Sequence, residues 1–373
     1  MTDTKPTVLQ ILPALDVGGV ERGTLEIAKA LVDRGYGSFV VSNGGRMLNQ
    51  LEAEGSKHIK INVGKKSLLT IRHCSKLKNI IEENNVNIVH VRSRMPAWIT
   101  YYALRSIEEK NRPDFISTVH GPYSVNFYSK IMLRGQKIIA ISDFIKNHIT
   151  NNYTDIDPEI ITVIHRGIDK DKYNCHFTPD AEWTNKWQRE VPGTQNNLVI
   201  TLPARITRWK GQADFIDIIR KLLDSNIPVH GVIAGAPHPH KLGFYREIKN
   251  KIQSSNMENH ISLIGQRDDM REIMKTSDIV MSLAKVPEAF GRTALEALSL
   301  GTPVVAYDHG GASEVLNTLF PEGLIPPNKT DAAVEKIHAL YKTNPEINKI
   351  NPFTLDSMIT KTIKIYEESI NKI

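Results

Sequence analysis

The sequence predicts an α/β protein built from two doubly wound parallel sheets. Three observations predict it. At 373 residues the chain exceeds what one core comfortably holds, so two domains are expected. Short apolar, β-branched runs recur, each ending in polar or glycine residues and each followed by a helical stretch. And Pro287–Asp308 reads as a loop, a helix and a buried strand in succession, a layout that places a helix N-terminus above the sheet.

Composition narrows the function classes. Hydrophobic residues make up 40% and charged residues 24%, ordinary for a globular chain. No run of 18 apolar residues exists, and the N-terminus lacks the charged-then-apolar layout of a secretory signal. Cys74 and Cys175 cannot form a disulfide framework, and no Cys/His set has zinc spacing. A reducing cytoplasm is the expected compartment. The net charge of +6 is uneven: residues 1–173 hold 24 Lys/Arg against 18 Asp/Glu, whereas residues 174–373 hold 23 of each. That asymmetry points to an anionic partner on the first half, with a solvated basic face as the plain alternative.

In the first half, Thr7–Leu12 reads as a buried strand. A loop with Gly18-Gly19 follows, then a helix to about Arg34. The glycines let backbone approach a ligand, although G-x-G-x-x-G is absent, which speaks against a dinucleotide. Further strands are expected at Ser38–Ser42, Asn87–Val91, Phe115–Val119 and Lys137–Ile141. Because ligands sit beyond the carboxyl ends of such strands, His120 and Arg94 are placed near one crevice. Arg92 and Arg94 are candidates to grip a phosphate or carboxylate of an acceptor. Residues 65–78 carry Lys65, Lys66, Arg72, Lys76 and Lys78 around an apolar stripe, Leu68, Ile71, Cys74, Leu77 and Ile81. The stripe is expected to pack on the core, and the cations to rest on an anionic membrane surface.

A polar stretch from about Asn174 to Asn197, with two tryptophans in a short helix, reads as the linker. A strand then runs from Leu198 up to Arg205, and Lys210-Gly211 opens a helix. Arg205 and Lys210 can converge on a diphosphate, one as a planar fork and one as a point charge. Strands are expected at Val229–Gly235, His260–Gly265, Asp278–Ala284 and within Thr302–Tyr307. Between the last two, the helix after Gly291 points free N–H groups and a positive dipole end outward, a site suited to phosphate. Glu288 and Glu296 flank it, which suits a ligand with hydroxyls on both sides of a phosphate, such as a sugar nucleotide. A capped helix packing on a sheet explains the same pattern without a ligand.

These pieces together resemble the retaining glycosyltransferases of family 4, which have the GT-B fold. Glu288 and Glu296 match the Glu-x7-Glu signature with Phe290-Gly291 between them. Arg205 and Lys210 resemble the family's Arg-x4-Lys pair, Gly18-Gly19 its donor loop and Thr118-Val119-His120-Gly121 its Thr-x-His-Gly segment. Val163–Tyr173 resembles the segment before the interdomain linker, with His165-Arg166 replacing the usual Pro-Asn. The run Ser93–Trp98 and the chain as a whole resemble bacterial lipopolysaccharide or capsule transferases.

The resemblance implies two Rossmann-like domains facing a cleft: residues 1–173 with 355–373 on the acceptor side, and 174–354 on the donor side. It implies sugar transfer from a nucleotide-diphospho-sugar to a glycan or glycolipid, with retention, no cofactor and no metal. No Asp-x-Asp cluster suited to a metal–diphosphate is expected. Arg205, Lys210 and the helix after Gly291 would stabilise the leaving diphosphate, the charge that grows in the transition state. Glu288 would bind sugar hydroxyls, Glu296 the ribose, and His120 the reacting sugar. Gly18, Gly19, Gln266, Phe290, Gly291, Arg292 and Thr293 complete the donor contacts. Peripheral contact with the inner face of an anionic membrane is expected, and nucleic acid is not a partner. The rivals are an epimerase or phosphorylase of the same fold, distinguished by needing no acceptor or needing phosphate, and a non-catalytic sugar-nucleotide-binding protein.

Overall fold

The computed structural model describes residues 5–16, 18–65, 70, 72–237, 242–343 and 345–370. The chain divides into two compact units, Met1–Arg166 with Asp356–Ile373, and Gly167–Leu355. Gly167 joins the second unit because its α-carbon abuts the Thr354 backbone, and Ile168 forms a parallel bridge with Thr354. Residues 167–173 therefore lie with the second unit, not with the first as the sequence suggested.

Among the described residues the first unit holds a seven-stranded parallel sheet. Its strands are β1 (Thr7–Ile11), β2 (Gly37–Ser42), β3 (Lys57–Lys60), β4 (Ile88–Val91), β5 (Asp114–Val119), β6 (Lys137–Ala140) and β7 (Ile161–Val163). They lie in the order β3-β2-β1-β4-β5-β6-β7. The second unit holds six parallel strands: β8 (Leu198–Pro203), β9 (Val229–Ala234), β10 (Ile261–Gly265), β11 (Ile279–Ser282), β12 (Val304–Tyr307) and β13 (Leu324–Ile325). Their order is β10-β9-β8-β11-β12-β13. Strand direction of travel across the sheet reverses between β1 and β4 in one unit and between β8 and β11 in the other. In such sheets a reversal of this kind marks the usual ligand position, at the carboxyl ends of the strands.

The central strands form because they are buried on both faces. Val280, Val304 and Val305 are completely inaccessible to solvent. Each such side chain contributes about 1.5–3 kcal/mol relative to exposure. The final helix, Leu355–Ile370, belongs to the first unit from Asp356 on and seats Tyr366 in its core. No helix among the described residues is long and apolar enough to cross a membrane.

Candidate functional site

In the second unit the polar residues gather where β8 and β11 diverge. β8 ends at Pro203, two residues before Arg205. The chain then turns to the helix Gln212–Asp224, entered through Gly211 in the left-handed region (φ 80°). A side chain on Gly211 would collide with the Leu283 carbonyl at 2.2 Å, so glycine alone lets this turn sit against the β11 loop. That approach carries Lys210 to the loop: its ammonium pairs with Glu288 Oε1, and both side chains are mostly buried. Ser282 Oγ, at the end of β11, donates to Glu288 Oε2 at 3.4 Å.

Glu288 stands before the helix Arg292–Ser299, whose N-cap is Gly291 at φ 74° with no side-chain cap. The first N–H groups of this helix are thus left for a ligand or solvent. Thr293 shares a small recess with Lys210, Ser282 and Glu288. Glu296, one turn into the helix, is held by Arg292 Nε at 3.1 Å. Two glycines fix the loop from behind. A Cβ on Gly310 would meet the Glu288 carbonyl oxygen at 2.6 Å, and one on Gly311 the Phe290 α-carbon at 2.3 Å. Their closeness lets Gly311 N–H donate to the Glu288 carbonyl at 2.7 Å.

Arg205 is exposed and makes no side-chain hydrogen bond among the described residues. Gln266 is exposed beyond β10, at the edge of the sheet, away in strand order from β8 and β11. Phe290 corrects an expectation: its ring is 4% exposed and packs edge-on against Phe353, so only its backbone is available to a ligand.

A buried polar brace in the second unit carries no mark in the sequence. Asp214 accepts from Tyr307 Oη at 2.7 Å and pairs with Lys285 at 2.7 Å. These residues come from a helix, a strand and a loop far apart in the chain. Burial, with the Asp214 bond second, raises the Tyr307 phenol well above its ordinary range.

In the first unit, β1 is followed by the helix Gly19–Asp33. Gly18 is extended and a Cβ on it would fall 2.3 Å from Glu21 Oε2, whereas a Cβ on Gly19 would meet nothing within 4 Å, so the open space of this turn lies at Gly19. Arg92 corrects a second expectation. It is 2% exposed, and its guanidinium donates Nε and Nη2 to Gln10 Oε1 at 3.0 and 2.5 Å. Gln10 in turn donates to the Thr24 carbonyl. Arg92 thus ties β1 to the end of β4 inside the unit and offers no open grip to an acceptor. Arg94 begins the helix Arg94–Arg105 and is half-buried, with its guanidinium over the rings of Tyr123 (4.6 Å) and Tyr128 (5.4 Å).

His120 follows β5. Its Nδ1 lies 2.7 Å from Arg166 Nη2, and its Nε2 is buried without a partner among the described residues. An unsatisfied buried donor costs roughly 1–3 kcal/mol. Burial first, then the charges of Arg166 and Arg92 and the neighbouring His90, hold its pKa well below the ordinary histidine range. The chain also contains two Asp-x-Asp pairs, which serve turns: Asp157 accepts from Glu159 N, and Asp169 from Asp171 and Lys172 N.

The two sheets match those of GT-B proteins, and comparison with known proteins follows the same division. Residues 17–172 match the model described as Glycosyltransferase Family 4, and residues 184–353 that of Glycosyl transferases group 1. A crystal structure of a glycosyltransferase from Rickettsia africae ESF-5 superposes with a TM-score of 0.87 at 33% identity, over 98% of this chain and 99% of that one. HepE of Anabaena, solved in complex with UDP, aligns at TM-score 0.81 and 20% identity over 97% of this chain and 100% of its own. An Escherichia coli UDP-Gal:alpha-D-GlcNAc-diphosphoundecaprenol alpha-1,3-galactosyltransferase is 22% identical over 58% of this chain and 56% of its own. The chain spans about three fifths of the length of the curated relatives it matches. It belongs to the family 4 glycosyltransferases of GT-B fold.

Proposed function

We propose that the chain moves a sugar from a nucleotide-diphospho-sugar to a glycan or glycolipid acceptor, with retention at the anomeric carbon and without a divalent metal. The observation that carries this reading is the Lys210–Glu288 pair at the fork of β8 and β11, beside an uncapped helix end. Without donor, the two charges neutralise one another. A diphosphate at the helix N-terminus draws the Lys210 ammonium and the Arg205 guanidinium to itself. Glu288 is then free to accept hydrogen bonds from sugar hydroxyls. As the glycosidic bond breaks, negative charge grows on the diphosphate, and cations and N–H dipoles already in place lower the barrier. In the same reading Glu296 binds the ribose, Gln266 and the Gly18-Gly19 turn approach the nucleotide, and His120 meets the sugar. HepE binds UDP, and the Escherichia coli relative is named for UDP-Gal and a lipid diphosphate. Both support a nucleotide-sugar donor, and the second name supports a lipid-linked glycan acceptor. The acceptor in this reading is an envelope-polysaccharide or lipopolysaccharide precursor, met through peripheral contact with the inner face of an anionic membrane.

The test is thermal stability against UDP, GDP and ADP and their sugars, with and without magnesium. A ligand at about 100 times its dissociation constant adds about 2.7 kcal/mol, a readily measured shift. One nucleotide family is expected to stabilise the protein equally in both conditions. Stabilisation only with magnesium removes the metal-independent reading. No stabilisation, even with lipid and acceptor present, removes the donor reading. Product anomer by NMR then decides retention.

A further inference from the structure

Arg166 stands where the family segment usually has asparagine, and the structure gives it a specific contact. Its guanidinium is buried at 8% exposure and reaches His120 Nδ1 at 2.7 Å. Its other terminal nitrogen lies 3.6 Å from Met358 Sδ. Room for it comes from Gly23, in the first helix: a Cβ there would fall 2.5 Å from Arg166 Nη1. A guanidinium has donors and no acceptor, and stays charged at any pH the protein survives. So His120 Nδ1 must be the accepting nitrogen, and the ring proton must sit on Nε2. That Nε2–H is the buried atom without a partner among the described residues.

We propose that Arg166 is a positioning residue that locks His120 in the neutral Nε2–H tautomer, so that this histidine meets its ligand as a hydrogen-bond donor and never as a base. The acceptor atom would be an oxygen of the reacting sugar; this part rests on the transferase reading above. Ionisable groups acting on the ring are Arg166, Arg92 and His90, together with Tyr123, whose phenol meets the His120 backbone. Two of them are permanent cations, and they disfavour an imidazolium. A histidine free to titrate would instead switch between donor and acceptor near neutrality.

The lock is tested first without any substrate. In protein labelled with 15N-histidine, the His120 signals are identified by their loss in His120→Asn. Long-range proton–nitrogen spectra from pH 5.5 to 8 are expected to show His120 neutral throughout, with the proton on Nε2. Arg166→Met keeps an unbranched apolar stem and removes the guanidinium donor, with its contact to Met358 Sδ. There the ring is expected to populate both tautomers, while burial and Arg92 still keep it neutral. Gly23→Ala, which crowds the guanidinium, is expected to do the same while Arg166 is still present. Arg166→Lys, which keeps a cationic donor, is expected to retain the Nε2–H form. A wild-type ring protonated on Nδ1, or a tautomer unchanged in both Arg166→Met and Gly23→Ala, overturns the proposal, whatever reaction the protein performs. With donor and acceptor in hand, Arg166→Met is expected to lower kcat at least tenfold with donor KM within threefold, and Arg166→Lys to recover most of it. A loss confined to KM overturns the positioning role. Failure of wild-type protein to transfer sugar, with the tautomer locked, counts against the transferase reading and leaves the lock standing.

Discussion

Glu288 and Lys210 come from opposite sides of the fork in the second sheet, 78 residues apart, and meet as a mostly buried ion pair. Their separate motifs were legible in the sequence through spacing: Glu288 with Glu296, Arg205 with Lys210. Their pairing was not, because it depends on Gly211 letting two loops touch, and a φ of 80° leaves no mark beyond the glycine itself. Arg92 shows the converse. A cation after a strand looks like a ligand grip until its partner Gln10, on the neighbouring strand, is known. The pair predicts a specific split between stability and activity. Lys210→Met leaves the Glu288 carboxylate poorly solvated and without its cation, at a cost of about 1–3 kcal/mol, less than for a fully buried pair because both groups keep some solvent. Glu288→Gln removes the charge but keeps the shape. The double variant Lys210→Met/Glu288→Gln is expected to recover most of the lost melting temperature. Transfer activity is expected to fall about 100-fold or more in each single variant and to stay low in the double. Activity returning together with stability would make the pair purely structural.

Elements buried on both faces were legible, whereas of the four edge strands only β10, with its apolar run Ile261–Gly265, was. β3, β7 and β13 went unseen because edge strands are short and one-sided: β3 reads Lys-His-Ile-Lys, and β13 is two residues long. The basic 65–78 segment lies partly outside the described residues. In the helix His73–Glu83, Leu77, Ile80 and Ile81 face the core, as ordinary packing requires. A group of exposed apolar side chains lies elsewhere in the first unit, on the helix Arg94–Arg105 and the segment after β5. Trp98 stacks on Tyr102 and contacts Phe127, and Arg105 sits over Tyr101. Phe127 is 74% exposed, Val125 50% and Tyr102 47%. Aromatic rings beside arginine are the composition favoured at a lipid headgroup boundary. The membrane contact proposed above would use this helix. Wild-type protein is expected to sediment with vesicles of anionic phospholipid at low salt, and less so with zwitterionic vesicles. Tyr102→Ser with Phe127→Ser is expected to weaken retention about tenfold with only a small drop in melting temperature, since both rings are largely exposed and pack mainly on Trp98. Equal retention of variant and wild type would place the contact elsewhere.

Across the whole chain, buried titratable groups set how stability varies with pH, and the two units differ in which groups they bury. The first unit encloses His90, bonded to Tyr366 Oη and Thr118 Oγ1 at 2.6 Å each, and His120 beside Arg166. Burial, reinforced by Arg92 and Arg166, holds both rings well below the ordinary value of 6.5. Burial also lowers His58 there and His230 in the second unit. A depressed histidine is neutral in the fold while the unfolded chain takes up a proton. Its contribution is therefore complete above pH 6.5 and is lost as pH falls below that value towards the folded pKa. At the other extreme burial raises Tyr366 in the first unit and Tyr307 in the second, and a raised phenol contributes fully below about pH 10 and loses its contribution above it. Stability is thus expected to be flat between about pH 7 and 9 and to fall on both sides. The acid limb should be steeper in residues 5–166, which hold three of the four lowered histidines. Hydrogen exchange resolved by peptide at pH 5.5, 7.5 and 10.5 measures this directly. At pH 5.5, segments spanning β4 and β5 should lose protection before those spanning β8 and β11. Replacing His90 by Gln removes one titrating ring while keeping donor and acceptor atoms for Tyr366 and Thr118, and is expected to shallow the acid limb by lowering the number of protons taken up on unfolding. An acid limb of unchanged slope in His90→Gln, or earlier loss of protection in the second unit, would show that other groups control the response.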